Sequence, residues 1–136
     1  MSDNRVEGAT SSMENGLNCS QAIFSIYGQY LGMDRDTCLK ITSVFGGGIN
    51  RTGNVCGAVT GALMAIGLKH AEVESDSVAS EFTKKFRERN GTIICRELID
   101  HNLLTVIDRA HAFESGAFEN CPKFVKDAAE ILEKML

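Results

Sequence analysis

The chain has 136 residues, 43% of them hydrophobic and 24% charged, with a formal net charge of −4 at pH 7. That balance points to one globular domain over residues 1–136, and it gives no global attraction to nucleic acid or to an anionic membrane. The opening MSDNRVEGATSSMENG is polar and lacks the apolar stretch of a secretion signal. No apolar run reaches the ~20 residues that span a bilayer, so the expectation is a cytoplasmic protein without membrane insertion.

In chain order, residues 3–14 predict a first helix with Val6, Ala9 and Met13 on one side, and residues 1–14 are expected to be frayed or flexible. Asn18 is a cap candidate for a helix over 19–31, whose stripe is Ala22, Ile23, Ile26, Tyr27, Tyr30 and Leu31, with Gly32 as the stop. Asp34 caps a helix over 35–45 that turns Cys38, Ile41 and Phe45 inward. Gly46-Gly47-Gly48 opens a flexible polar loop that ends at Gly53-Asn54. Asn54 is then read as the N-cap of a helix over about 55–69. Its segment Val55 to Leu68 is uncharged, with small residues at Gly57, Ala58, Gly61, Ala62 and Ala65. A helix apolar all round and too short for a membrane belongs in a core.

Residues 75–90 form an amphipathic helix with Val78, Phe82 and Phe86 inward. Lys84, Lys85, Arg87 and Arg89 share its other face with Glu81 and Glu88, which reads as a solvated surface and not a nucleic-acid patch. After Gly91, a helical turn is expected to begin near Cys95. Leu103, Val106, Ile107, Ala110 and Phe113 then give residues 102–113 an inward stripe. Pro122 suits a first helical position, so the last helix covers 122–135 and packs Val125, Ala128, Ile131, Leu132 and Met135. The fold class is an all-α, single-domain bundle of five to seven helices around the buried 55–69 helix.

The five cysteines are Cys19, Cys38, Cys56, Cys95 and Cys121. None forms a CxxC pair, so zinc-ribbon, thioredoxin and ferredoxin spacings are absent, and without CxxCH no covalent haem is expected. Four of them, all but Cys38, fall at or beside a predicted helix start. Free N–H groups and the macrodipole there favour thiolate, the form that attacks disulfides and ligates metal. Cys56 is the expected attacking thiolate and Cys38 a core residue that reacts last. Gly47, Gly48, Arg51, Asn54 and Gly57 are the candidates to border a cofactor or anion near that helix start. Gly48 to Asn54 has the glycine spacing of a phosphate-binding P-loop, but Asn54 replaces its lysine. His70, His101 and His111 show no common ligand spacing.

The pattern Cys56-Gly57-Ala58-Val59-Thr60-Gly61, with Cys19 upstream and Cys95 and Cys121 downstream, resembles the C_GCAxxG_C_C family of proteins proposed to be redox-active. The likeness covers roughly residues 15–136 and leaves Cys38 outside. It implies redox activity but names no substrate or cofactor. The leading reading is a redox or electron-transfer protein, a thiol-based oxidoreductase or the holder of an iron–sulfur cluster on Cys19, Cys56, Cys95 and Cys121. The rivals are a structural four-cysteine zinc domain and a helical interaction module that homodimerises through its small-residue helix. The redox partner protein is not identified by the sequence.

Overall fold

The computed structural model describes residues 2–136, apart from the side chains of residues 2, 3 and 71–73. Among the described residues seven helices follow in order: α1 (Ser2–Glu14), α2 (Cys19–Tyr30), α3 (Arg35–Ile41), α4 (Gly57–Asn90), α5 (Cys95–Leu98), α6 (Val106–Glu114) and α7 (Cys121–Glu133). Among the described residues the sole β feature is a single antiparallel bridge between Val55 and Ile94. No helix among them is long and apolar enough to cross a membrane. The fold is all-α, as its periodicity predicts.

Local chemistry sets the helix ends. Asn18 accepts from the Gln21 amide at 2.8 Å while the Gln21 side chain accepts from the Asn18 amide at 3.1 Å, a reciprocal cap that fixes where α2 begins. Asp34 accepts from the Thr37 amide at 2.9 Å and starts α3. That helix stops at Ile41, short of the expected residue 45. The hydroxyls of Thr42 and Ser43 donate back to the carbonyls of Cys38 (2.6 Å) and Lys40 (2.8 Å), which competes with continuing the helix. Gly91, at φ 85°, closes α4 with its amide on the Arg87 carbonyl.

The expected helices over 55–69 and 75–90 are one helix, Gly57–Asn90. The connecting LKHAEVES contains neither glycine nor proline, so nothing breaks the backbone where the surface changes character. Ala58, Val59, Ala62, Ala65 and Ile66 are buried, while Leu68 is 42% exposed; the enclosed part of the helix therefore ends near Ile66. Farther along, Phe82 and Phe86 return to the core with ring centroids 6.2 Å apart.

The α4–α2 contact is the most extensive in the bundle, and α7 packs across α1, α2 and α4. Small residues let the backbones meet: a Cβ on Gly61 would stand 2.8 Å from the Ser20 carbonyl oxygen. α1 docks on the bundle through its described side chains. Ala9 is fully buried, and Arg5 grips Glu133 of α7 through Nη2 at 2.6 Å and Nε at 2.7 Å. Tyr27 of α2 donates to the same carboxylate at 2.8 Å.

Apolar residues expected inside lie outside at three places in the fold, for physical reasons. Tyr30 is 52% exposed because its ring carries the Arg5 guanidinium, 4.0 Å from the centroid. Ile41 is exposed at the shortened end of α3. α6 begins at Val106, not 102, where Thr105 and Asp108 form a second reciprocal cap. In that register Leu103 and Ala112 are buried, but Val106, Ile107 and Phe113 face outward. Of that stripe, Leu103, Val106, Ala110 and Phe113 line a surface groove, while Ile107 does not.

Candidate functional site: four cysteines at helix starts

Each of the four candidate cysteines stands at the start of a different helix. Cys19, Cys95 and Cys121 are the first residues of α2, α5 and α7, and Cys56 is the N-cap of α4. Asn54 therefore does not cap the helix. Its side chain donates to Thr52 Oγ1 at 2.8 Å, and its carbonyl accepts from the Cys95 amide at 2.6 Å. That bond, with Cys56 N to Ile93 O at 2.8 Å, clasps the start of α5 against the start of α4. Pairing these two segments brings Cys95 to Cys56.

The four cysteines line one small cavity of about 20 Å³. Gly47, Gly48 and Gly57 line it as well, and Leu98, Ile99, Phe118 and Phe124 close it with apolar surface. Phe118 and Phe124 carry no reactive group, and the sequence reading passed over them. Phe124 lies one turn along α7 from Cys121, and Phe118 stands in the preceding turn, its carbonyl accepting from the Cys121 amide at 3.1 Å. Cys38 lies elsewhere: its sulfur is 2.5 Å from where a Cβ on Gly28 would stand, in the α2–α3 contact.

A left-handed turn roofs the cavity. Residues 47 to 51 have successive φ values of 62°, 71°, 62°, 52° and 59°. Amides 50, 51, 53 and 54 donate to carbonyls 44, 46, 47 and 48 at 2.7–3.0 Å, so the loop is braced and not the flexible strand expected from its glycines. Left-handed backbone costs about 1–2 kcal/mol per non-glycine residue, and Ile49, Asn50 and Arg51 all adopt it. Gly48 shows why the glycines are needed, since its Cβ would lie 2.6 Å from both the Asn54 amide nitrogen and Cys95 Cβ.

The thiols are not equivalent. Hydrogen bonding to Cys121 and Cys56, with burial added, raises Cys19 well above the ordinary thiol range. The same bonds lower its partners. Cys56 is lowered first by the Cys19 thiol and, against burial, by the amides of Ala58 and Val59 at the start of α4. Cys121 is lowered by the Cys19 thiol. Cys95, buried and near both, is pushed up to about 12. Cys38 is raised by burial. The arrangement is one shared proton donor, Cys19, between two sulfurs whose pKa its hydrogen bonds lower.

Four thiols are the donor type of iron–sulfur and structural zinc sites. Among the described residues no three cysteine, histidine or carboxylate side chains are grouped as metal ligands. A cavity of about 20 Å³ is close to the room for a single water. The histidines do not contribute: His70 meets the Met135 carbonyl, His101 joins the Ile99 carbonyl and Ser115, and His111 is exposed.

A larger groove of about 600 Å³ lies on the other side of the cysteines, and Cys19 and Cys121 line both it and the inner cavity. Arg51, at the end of the left-handed turn, borders the groove and not the inner cavity. Cys56 and Cys95 border only the inner one.

Fold and site together define a small helical protein whose helix starts gather four cysteines around a closed cavity. The chain belongs to the family described as "Putative redox-active protein (C_GCAxxG_C_C)", whose model matches residues 17–135. Neither the curated proteins nor the solved structures compared with it gave a match.

Proposed function

We propose that the protein is a cytoplasmic thiol–disulfide oxidoreductase that moves two electrons between its cysteines and an external disulfide. The observation that carries this reading is the sharing of Cys19 and Cys121 between the closed cavity and the open groove. A reagent entering by the groove meets Cys121 before Cys56, so the attacking role passes to Cys121. Its thiolate attacks one sulfur of R–S–S–R, forms a mixed disulfide and expels R–S⁻. The Cys19 thiol gives its proton to that leaving group and attacks Cys121 Sγ. The second R–S⁻ departs and takes a proton from water. The balance is two protein thiols and one disulfide giving one Cys19–Cys121 disulfide and two R–SH. Cys56, the other partner of the Cys19 thiol, then receives the disulfide from Cys19, while Cys95 stays a thiol.

Serine variants test these roles. Reduced wild-type protein is mixed with a small disulfide and thiol release is followed, with mass spectrometry of the product. The expected result is loss of the fast phase in Cys121→Ser and a trapped mixed disulfide on Cys121 in Cys19→Ser. Cys95→Ser should react at the wild-type rate. A wild-type rate in Cys121→Ser would refute the assignment.

A further inference from the structure

We propose that the groove over Cys19 and Cys121 binds a small anionic disulfide with apolar arms, an inference that rests on the thiol–disulfide reading and names its substrate class. The groove's volume, about 600 Å³, falls within the range of small-molecule sites, which combine apolar walls with a few placed polar groups. Val106, Ala110 and Phe113 of α6 form one wall, with Leu103 and Phe118 alongside. That wall answers why α6 turns apolar side chains outward, with Val106 at 73% and Phe113 at 79% exposure.

The charged groups lining the groove are Arg51 and Arg109, and no carboxylate lines it. Among the described residues neither guanidinium is in an ion pair; Arg109 donates to the Leu103 carbonyl at 3.0 Å. The molecule as a whole is acidic, at −4, so this positive pair is a local feature. The other groove of similar size differs. It is lined by Glu7, Glu130 and Glu133 with Arg89, Lys126 and Lys134, and its Arg89 and Glu130 pair at 2.7 Å. The left-handed turn adds a second argument, because it holds Arg51 at the groove by an unfavourable backbone. A substrate carrying a carboxylate on each arm would set its charges on Arg51 and Arg109 and its apolar arms against α6. Its sulfurs would lie over Cys121.

The test compares two reagents on the reduced protein, dianionic 5,5′-dithiobis(2-nitrobenzoate) and neutral 4,4′-dithiodipyridine. The variants are Arg51→Gln, Arg109→Gln and Val106→Glu. The last sits at an exposed position in the first turn of α6, where a carboxylate suits the helix, and it adds negative charge to the groove. Each variant should slow the anionic reagent about tenfold, the value of one charge-assisted hydrogen bond, and slow the neutral reagent far less. Added salt should narrow the difference. If the neutral reagent reacts at Cys121 but the variants slow neither reagent, or both equally, the groove assignment is overturned and the exchange chemistry stands. The same pattern is expected if an acidic protein partner, and not a small molecule, uses the arginines. If neither reagent forms a Cys19–Cys121 disulfide, the exchange reading itself fails.

Discussion

At the scale of single residues, the roof of the cavity sets two neighbouring positions against each other. Gly48 has no room for a Cβ, which would overlap the Asn54 amide and Cys95. Gly48→Ala should therefore cost at least about 2 kcal/mol, combining overpacking with left-handed strain. Ile49, next along, is a β-branched residue in the same conformation and 37% exposed. Ile49→Gly should stabilise by roughly 1 kcal/mol. Urea denaturation of the two variants should give midpoint shifts of opposite sign. A shift of the same sign in both would mean that the turn is not held in the left-handed form. The reactivities of the cysteines follow the same local logic. As pH rises from acid, a charged alkylating reagent should reach Cys121 below the ordinary thiol value of ~8.5. Cys95, pushed up to about 12, and buried Cys38 should be labelled last. Mass spectrometry of a time course would read that order.

At the scale of elements, two contacts hold the helices that present the cysteines. The first is α4 on α2, where Gly61 leaves no space beyond Ser20. Gly61→Leu should cost about 3 kcal/mol, near the top of the overpacking range, and separate Cys19 from Cys56. An unchanged denaturation midpoint would contradict the packing. The second joins α1, α2 and α7 through Glu133. Burial pushes its carboxyl upward, but hydrogen bonds from Arg5 and Tyr27 prevail and hold it below the usual glutamate range. A depressed carboxyl contributes stability above its unfolded value of ~4.3 and loses that contribution as pH falls through the folded one. Glu133→Gln should thus cost about 2–3 kcal/mol at neutral pH, and its disadvantage should shrink in acid below pH ~4. A constant difference across that range would show that the carboxylate charge does not hold the three helices.

Much of this architecture was legible in the chain because local rules decide it. Asn18, Asp34 and Pro122 mark helix starts by hydrogen bonding and fixed φ, and the all-α class follows from a 3.6-residue period. What escaped the sequence was set by tertiary geometry. A change of surface character between Leu68 and Ser75 looks like a helix end, yet with no breaker α4 continues through it. The stripe on α6 looks like a core face, because periodicity registers an apolar surface without saying whether a core or a groove meets it. Glycines at 46–48 suggest flexibility, whereas hydrogen bonds brace them into a left-handed turn. The meeting of the cysteines was suggested by their shared position at helix starts. That only Cys19 and Cys121 touch the groove depends on how α6 and the 47–51 turn sit around them, which no local rule specifies.

At the scale of the whole molecule, the bundle serves as a frame that brings four helix starts from distant parts of the chain to one point. All four cysteines are buried; Cys56 and Cys95 line only the inner cavity, while Cys19 and Cys121 line both it and the groove. The central claim is that this cluster exchanges electrons as a dithiol and disulfide through Cys19 and Cys121. Its most direct test is equilibration of anaerobically purified protein in dithiol–disulfide buffers across a range of potentials, followed by acid quench, differential alkylation and mass spectrometry, with iron and zinc measured on the same sample. The account predicts a Cys19–Cys121 disulfide as the first oxidised species, titrating as a two-electron couple at about 30 mV per tenfold change, in protein with substoichiometric metal. Cys19 and Cys121 remaining reduced at every potential, or four cysteines protected together by stoichiometric iron or zinc, would contradict it.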